Sequence, residues 1–351
     1  MKKRFVMIVA LALAMLMILS ACGGNNNTPA TFSDVPSTQP AAQTQAPAPS
    51  AEPAPPAGTP YALKLATGGT SGTYYGFCGV IAQTLNDKLP NALNITAEST
   101  GASLANIQLL EAGENNLAIV QNDVMYYAYT GTTMFTESVT DFSAVISCYP
   151  EEIQIVADPS ITSIEDLKGK VISVGASDSG TRFNAEQILE AYGISFADCN
   201  ITFESFADSV DSLKNGAIDA AFVTAGAPTT AVTELATSFT FNILEVDDEH
   251  IAKLQENYGF YAKVTIPGGT YTGIADDVQT VAVMATIVAA NDVPDETVYA
   301  FLDGLFEYQE DIAAAHAKGK LLKLDTAISG IAIPFHPGAV SYYAEQGKNV
   351  A

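Results

Sequence analysis

Three loops rich in glycine and hydroxyl residues carry the chemistry that this sequence offers. They are GGTSGTYY at 68–75, STGAS at 99–103 and SDSGT at 177–181. Each stands between a strand-like and a helix-like stretch, so its backbone N–H groups lie where a helix begins. Such N–H groups have no partner inside the helix and carry the positive end of its dipole. The loops can therefore hold a small carboxylate, phosphate or polar ligand without any basic side chain.

The sequence contains no catalytic or metal-binding pattern to set beside these loops. It has no G-x-S-x-G nucleophile elbow, and His250, His316 and His336 show no metal-ligand spacing. The acidic pairs at 151–152 and 247–248 are interpreted as solvated charge. We therefore expect a binding protein rather than an enzyme, with no catalytic residue, no metal and no cofactor.

The elements that must position the loops alternate between strand and helix. Apolar periodicity predicts strand–helix units from residue 61 onward, with Asp123 as the N-cap of the third helix. A long apolar stretch at 142–158 is expected to be broken by Pro150, after which the alternation restarts. A strand at 280–290 is expected to return to the first part, and 295–317 is predicted to form one long closing helix.

This alternation predicts an α/β fold of two lobes, each a mostly parallel sheet flanked by helices. We assign 61–148 plus 276–351 to lobe 1 and 149–275 to lobe 2. Ligands of open α/β sheets bind beyond the carboxyl ends of the strands, where the three loops also fall. The ligand is thus expected in a cleft between the lobes.

The N-terminal segment is interpreted as an export and tethering signal. KKR at 2–4 precedes an apolar run that is too short to span a membrane. The tetrad LSAC resembles a bacterial lipobox, which implies a signal peptide over 1–21 and lipidation of Cys22. The alternative is an ordinary secretory signal with an incidental cysteine. The Pro- and Ala-rich stretch 22–60 is predicted to be a disordered linker that leaves the protein lipid-anchored on the outer face of the cell membrane.

Composition limits the partners and the redox chemistry. The formal net charge of −24 argues against nucleic acid as a partner. Beyond Cys22 the cysteines are Cys78, Cys148 and Cys199, so at most one disulfide can form. Cys78 and Cys148 lie in apolar patterns, which favours small buried hydrophobes over a disulfide or a reactive thiol.

Longer strings share the order and spacing of a known family. They include GGTSGTYYG from residue 68, ESTGASLANIQLLEAGENNLAIVQND from residue 98 and IPFHPGAVSYY from residue 333. Over essentially all of 61–343 the sequence resembles the TAXI class of extracytoplasmic solute-binding proteins, the receptor subunits of TRAP transporters. The resemblance implies a type II periplasmic-binding-protein fold that closes on its ligand and delivers it to an integral membrane permease. The implied ligands are small anionic or zwitterionic metabolites such as glutamate, glutamine and 2-oxoglutarate.

The resemblance also implies a set of ligand-binding residues in four loops around the cleft. Those that match the family's loops are Gly69, Thr70, Ser71, Thr73, Tyr74, Ser99, Thr100, Gly101, Ser103, Asn106, Ser179, Gly180, Thr181, Thr224, Ala225, Gly226 and Pro228. For each hydroxyl the alternative role is a helix N-cap. Gln121 and Asp123, at the end of the third strand, are expected to point into the same region and to take an ammonium or amide group.

Arg182 and two tyrosines are further candidates. Arg182 is the one arginine after the signal peptide, and it directly follows SDSGT. Two roles stay open for it: a bidentate contact with a ligand carboxylate, or a surface pair with Glu186, which is favoured. Tyr74 and Tyr271 are candidates to cover the ligand with a flat side chain, and simple packing is the alternative.

Other binding functions share the expected fold. The main alternative to a TRAP receptor is the substrate-binding lipoprotein of an ABC importer, and a third hypothesis is a surface sensor or adhesin. In each case we expect a monomer that contacts the membrane through its lipid and, as a receptor, through permease subunits.

Overall fold

The computed structural model describes residues 59–350. The predicted signal peptide, Cys22 and almost all of the predicted linker lie outside the described residues. Within 59–350 no helix is both long enough and apolar enough to cross a bilayer.

The described strands form one mixed sheet. They are β1 (Tyr61–Ala66), β2 (Leu93–Glu98), β3 (Leu117–Gln121), β4 (Phe142–Ala157), β5 (Val171–Ser173), β6 (Asn200–Thr202), β7 (Ala220–Ala225), β8 (Asn242–Leu244), β9 (Ala262–Ile266) and β10 (Val278–Ala290). The strand order is β2-β1-β3-β10-β4-β7-β5-β6, with β8 paired to β4 and β9 paired to β10. β1 pairs in parallel with β2 and β3, and β5 with β6 and β7. β4 and β10 run antiparallel to every strand that they pair with.

Helices follow most of the strands. They are α1 (Thr73–Lys88), α2 (Ser103–Glu111), α3 (Asn122–Thr130), α4 (Gly180–Ala191), α5 (Phe206–Lys214), α6 (Thr230–Ser238), α7 (Asp248–Asn257), α8 (Asp295–Glu307), α9 (Gln309–Ala315) and α10 (Pro337–Glu345). Short 3-10 turns occur at Glu165–Leu167, Phe196–Asp198 and Ala317–Leu321. The expected α/β class, with helices and strands in alternation, is confirmed.

The buried apolar side chains form three clusters, and the division between them crosses the two long strands. The first cluster draws on 63–149 and 285–343, whereas the other two draw on 153–283. Along β4, Tyr149 belongs to the first cluster and Ile153 to the second. Along β10, Val283 belongs to the second cluster and Ala285 to the first. These two strands therefore join regions that have separate cores.

Pro150 does not break the strand, contrary to the sequence prediction. β4 is continuous through it, and Pro150 lies opposite Met284 of β10. Proline has no N–H to give to a sheet. The N–H of Met284 instead donates to Oδ1 of Asn122 at 2.9 Å. Met284 therefore directs its own N–H to a side chain outside the ladder at the position opposite Pro150.

Two helix predictions are also wrong in detail. The single closing helix is divided into α8 and α9 at Tyr308, and α10 follows as a further helix. The N-cap of α3 is Gln121, whose backbone is extended, and Asp123 lies in the first turn. Cys78, Cys148 and Cys199 are all free thiols, and the first two are buried.

Candidate functional site

A cavity of about 90 Å³ lies where the loops before four helices meet. The N-terminal residues of α1, α2, α4 and α5 line it, together with the ends of β3 and β7 and the middle of β4. The loops come from regions with separate cores, so the cavity walls are built by distant parts of the sequence. The sequence predicted that the loops before these helices would meet, and that a ligand binds among them stays a prediction.

Many of the predicted site residues come together in the wall of this cavity. Those that line it are Gly69, Ser71, Thr73, Tyr74, Thr100, Gly101, Ser103, Gln121, Ser179, Gly180, Thr181, Thr224 and Ala225. Wall residues that the sequence reasoning missed are Gly68, Gly72, Ala102, Glu151, Ala176, Ser205 and Phe206. Most of the missed residues lie next to predicted ones in the same loops, and Ser205 and Phe206 add a further helix N-terminus.

The remaining predicted residues lie outside the cavity wall. They are Thr70, Ser99, Asn106, Asp123, Arg182, Gly226, Pro228 and Tyr271. Thr70 and Pro228 are exposed. The others make contacts within the protein that give them structural roles.

Two helices present open N-termini to the cavity. Neither α1 nor α4 has a side-chain cap hydrogen bond or an acidic residue in its first turn. Within residues 59–350 the N–H groups of Thr73, Tyr74, Gly180 and Thr181 have no hydrogen-bond partner. Open N–H groups at a helix start carry positive partial charge. The cavity therefore favours a negatively charged or strongly polar ligand group.

The N-terminus of α2 is occupied by a loop from the other side of the cavity. The N–H groups of Leu104 and Ala105 donate to the carbonyl oxygen of Asp178 at 3.1 and 3.2 Å. In a second contact between the two sides of the cavity, the Thr73 hydroxyl donates to the carbonyl oxygen of Gly226 at 3.0 Å. These bonds tie the loops of the two sides to each other around the cavity.

Hydroxyl groups in the wall differ in what they already bind. Ser103 Oγ accepts the N–H of Gln121 at 3.1 Å, and the Thr224 hydroxyl donates to Oδ1 of Asn184 at 3.2 Å. The hydroxyls of Ser71 and Thr181 have no protein partner within the described residues. Ser71 and Thr181 are therefore the wall hydroxyls that stay available to a ligand.

Glu151 places a carboxyl group in the cavity wall. It is only 2% exposed, and its Oε2 accepts the hydroxyl of Tyr74 at 2.6 Å. Burial is the main reason that the pKa of Glu151 is raised well above its usual value, so the protonated form is favoured. The interpretation of 151–152 as solvated charge is thus wrong. The available signal was an acidic residue inside a long apolar strand.

Asn106 and Ser99 hold the loops rather than face the cavity. Nδ2 of Asn106 donates to the carbonyl oxygens of Thr67 and Ile119 at 2.7 and 2.8 Å, and Oδ1 accepts the Thr100 hydroxyl at 2.6 Å. The Ser99 hydroxyl donates to the carbonyl oxygen of Gly68 at 2.9 Å. These side chains tie the first and second loops to β1 and β3.

Asp123 lies behind the wall, whereas Gln121 is part of it. The Asp123 carboxylate accepts the N–H of Val124 at 2.8 Å and the amide of Asn184 at 3.0 Å. Burial raises the pKa of Asp123 to about 6. The expected direct contact between Asp123 and the ligand is not supported by this placement.

Arg182 has neither of the two predicted contacts. It does not line the cavity, and no ion pair joins it to Glu186 among the described residues. Its guanidinium carbon lies 5.1 Å from the ring centre of Phe183 and 5.4 Å from that of Phe203. The favoured pairing with Glu186 is wrong because the guanidinium covers aromatic rings instead.

Tyr271 is a core residue rather than a cover over the cavity. It is buried in the third apolar cluster, its hydroxyl donates to Gln154 Oε1, and it accepts the N–H of Thr229 at 2.8 Å. Gly226 lies under the buried side chain of Lys318, whose Nζ donates to the carbonyl oxygen of Ala227 at 2.9 Å. Tyr271 and Lys318 therefore hold the loop that follows β7 in place.

Within residues 59–350 no group of three or more His, Cys, Asp or Glu side chains is arranged to hold a metal ion. The chemistry of the cavity is therefore that of backbone N–H groups, hydroxyls, one amide and one buried carboxyl.

A comparison with protein families finds one match that spans the site. The model described as the NMT1-like family matches residues 65–347 of this chain. The matched range contains the whole cavity wall and both long strands.

Solved structures of similar fold have low sequence identity to this chain. The periplasmic aliphatic sulphonate binding protein SsuA from Escherichia coli is 16% identical, with 82% of this chain and 84% of that chain covered and a TM-score of 0.47. A putative L-cystine ABC transporter from Listeria monocytogenes is 15% identical, with coverage of 76% and 98% and a TM-score of 0.44. PhnD1 from Prochlorococcus marinus (MIT 9301), in complex with methylphosphonate, is 12% identical, with coverage of 76% and 89% and a TM-score of 0.44. At these TM-scores the likenesses carry no argument about the ligand.

Proposed function

We propose that this chain, which belongs to the NMT1-like family, is the extracytoplasmic solute-binding receptor of a membrane transporter. It captures a small anionic or zwitterionic metabolite in the cavity between two lobes and delivers the ligand to integral membrane subunits. The proposed lobes are 61–148 plus 276–351 and 149–275, and β4 and β10 are the connections between them.

The observation that carries this proposal is the pair of open helix N-termini that face one cavity. α1 starts in the first proposed lobe and α4 in the second, and both leave N–H groups without a partner within residues 59–350. An anion between them is stabilised by both helix dipoles, each contributing about 0.3–1 kcal/mol, or up to ~2 kcal/mol where it is partly buried. Neither lobe supplies both N-termini by itself, so strong binding requires the lobes to close.

Closure explains the contacts that cross the cavity. Thr73 bonds Gly226, and the N–H of Ala231 donates to the carbonyl oxygen of Ser71 at 3.2 Å. Both bonds join residues of opposite proposed lobes. A hinge in the two long strands would make and break these bonds as the ligand enters and leaves.

The ligand class follows from the same groups and from the sequence resemblance. Open N–H groups and the hydroxyls of Ser71 and Thr181 suit a carboxylate, and the wall contains no basic side chain. Among carboxylates, the TAXI resemblance supports glutamate, glutamine or 2-oxoglutarate. We propose that the ligand is bound and released unchanged, because the wall offers no nucleophile paired with a base.

Two classes of transporter fit this receptor. The TAXI resemblance supports TRAP-type permease subunits, which use an ion gradient. The alternative is the substrate-binding lipoprotein of an ABC importer, which shares the expected two-lobed fold. A neighbouring gene for an ATPase would favour the ABC importer, and a many-spanning permease gene without one would favour the TRAP receptor.

The cellular setting rests on the N-terminal sequence. The lipobox resemblance at Cys22 supports a lipid anchor on the outer face of the cell membrane, with the cavity-bearing part working as a monomer. Replacement of Cys22 by alanine should release the protein into the soluble fraction. Retention in the membrane fraction would argue against the anchor.

A thermal-shift and calorimetric screen tests the binding function. Amino acids, 2-oxoacids and dicarboxylates are added to purified protein, because a ligand at 100 times its Kd stabilises the folded state by about 2.7 kcal/mol. Thr181→Val removes an unpaired wall hydroxyl and should weaken binding without lowering the melting temperature. Thr237→Val, which changes an exposed hydroxyl bonded to its own helix, is the matched control. Absence of any stabilising compound, or recovery of a chemically altered ligand, would contradict the proposal.

A further inference from the structure

The side chain of Asn184 makes four buried hydrogen bonds directly behind the cavity wall. Its Nδ2 donates to Asp123 Oδ2 and to the Tyr261 hydroxyl, both at 3.0 Å. Its Oδ1 accepts from Gln121 Nε2 at 2.8 Å and from the Thr224 hydroxyl at 3.2 Å. Asn184 is 0% exposed, so no bond to bulk water can replace any of these.

The groups around Asn184 fix which way its amide faces. On one side stands the Asp123 carboxylate, which only accepts when ionised, and the Tyr261 hydroxyl, whose proton is donated to Gln187 Oε1 at 2.5 Å. Both groups require a donor from Asn184, so Nδ2 must face them. Oδ1 of Asn184 must then face Gln121.

The orientation of the Asn184 amide determines the orientation of the Gln121 amide. Because Asn184 presents an acceptor, Gln121 must turn its Nε2 toward it, which leaves Gln121 Oε1 on the other side. Within residues 59–350 Oε1 is a buried polar atom without a hydrogen-bond partner. It lies against Gly180, where an added Cβ would stand 1.4 Å from it. Gln121 and Gly180 both belong to the cavity wall.

We propose that Asn184 is a positioning residue that holds Gln121 with its unpaired carbonyl oxygen beside Gly180 at the cavity wall, so that the site selects a ligand bearing an N–H or O–H donor. This inference rests on the proposed function, because it concerns the ligand of the same cavity. A buried acceptor gains a partner only from a ligand that can donate, and a site of this kind discriminates strongly against an analogue without the donor. The open helix N-termini hold the anionic part of the ligand, and the carbonyl oxygen of Gln121 accepts a hydrogen bond from a donor elsewhere on the ligand.

Matched ligands that differ in one group test this selectivity. Two triads serve as probes: L-glutamate, 2-hydroxyglutarate and 2-oxoglutarate, and L-alanine, lactate and pyruvate. In each triad the first two members carry a donor on carbon 2 and the third does not. Dissociation constants are measured by calorimetry at pH 8, where Asp123, with its pKa of about 6, is ionised. We expect the wild-type protein to bind a donor-bearing member at least tenfold more tightly than the 2-oxoacid of the same triad.

Variants separate positioning from general support of the fold. Asn184→Ala frees the Gln121 amide to turn, so the ratio of the two dissociation constants should fall to within about threefold. Gln121→Met removes the amide while keeping the length of the side chain, and it should remove the preference in the same way even if Asn184→Ala folds poorly. Asn86→Ala is the matched control, because Asn86 bonds the backbone of Ile95 away from the cavity. It should lower stability and leave the ratio unchanged.

The outcomes distinguish this inference from the function on which it rests. Binding of either triad with no preference for a donor, or a preference that survives both Asn184→Ala and Gln121→Met, overturns the role of Asn184 and leaves the receptor function standing. Failure of every compound of the wider screen to bind, both triads included, removes the carboxylate receptor and this inference together.

Discussion

Gly180 offers the sharpest test of how the two sides of the cavity fit together. Replacement by alanine adds a Cβ that would stand 1.4 Å from Gln121 Oε1, 2.5 Å from its Cδ and 3.0 Å from Val124 Cγ2. The backbone of Gly180 lies outside the left-handed region and starts α4, so alanine itself causes no backbone strain there. The conflict is therefore between two side chains from opposite proposed lobes.

The size of the effect follows from the bond that must break. Gln121 has to leave the position of the new methyl group, and its 2.8 Å bond to Asn184 is lost. Loss of a buried hydrogen bond with one partner left unsatisfied costs about 1–3 kcal/mol. If the two sides meet only on closure, this cost falls on the closed state alone, and ligand affinity should drop by roughly 5- to 150-fold. The open protein keeps its stability, because alanine is a better helix residue than glycine by up to ~1 kcal/mol.

The assay compares affinity with stability in the same variants. Calorimetry gives the dissociation constant for the best compound of the screen, and thermal melting of the ligand-free protein gives the stability. Gly79→Ala is the matched control: Gly79 is inside α1, and a Cβ there meets nothing within 4 Å. Affinity of Gly180→Ala within twofold of wild type would refute the reasoning. A large fall in ligand-free melting temperature would show that the contact exists without closure.

Three further predictions use residues behind the wall. Burial raises the pKa of Asp123 from 3.8 to about 6, so between these pH values the folded state binds more protons than the unfolded state. The free energy of unfolding should therefore fall by ~3 kcal/mol as pH rises from 3.8 to about 6. Urea titrations of Asp123→Asn should lack that fall, and pH curves parallel to wild type would contradict the prediction. Asn106→Ala should lower the free energy of unfolding by about 2 kcal/mol or more, since it strands the carbonyl oxygens of Thr67 and Ile119, and an unchanged denaturation midpoint would oppose this role. Arg182→Gln should change ligand affinity less than twofold in calorimetry, because its guanidinium lies on aromatic rings, and a tenfold loss would restore the ligand contact.

Local patterns were enough to predict the class of the fold and the loops that face the cavity. Apolar periodicity, glycines and hydroxyl residues act over a few neighbouring positions, so GGTSGT and SDSGT could be identified as helix starts from the sequence. Both do begin helices at the cavity wall. Their role as ligand contacts stays a prediction.

Residues whose role depends on distant partners were misread or missed. Glu151 looked like surface charge, but strand pairing buries it beside Tyr74. The spacing of Arg182 and Glu186 on one helix predicted an ion pair, but the Arg182 guanidinium lies over the ring of Phe203 instead. The sequence offered no reason to select Asn184, because the residues near an asparagine in a helix do not indicate which four groups the fold will bring to it.

The sequence by itself determined that α1, α2 and α4 begin at the three glycine- and hydroxyl-rich loops, because a helix start depends on neighbours within one turn. Only the tertiary structure decided that α1 and α4 open toward the same cavity, that Ser71 and Thr181 are the unpaired wall hydroxyls, and that Gln121 turns its carbonyl oxygen toward Gly180. Each of these depends on hydrogen bonds and packing between segments far apart in the chain. Burial makes such contacts decisive, since a polar group out of reach of water must take whatever partner the fold brings to it.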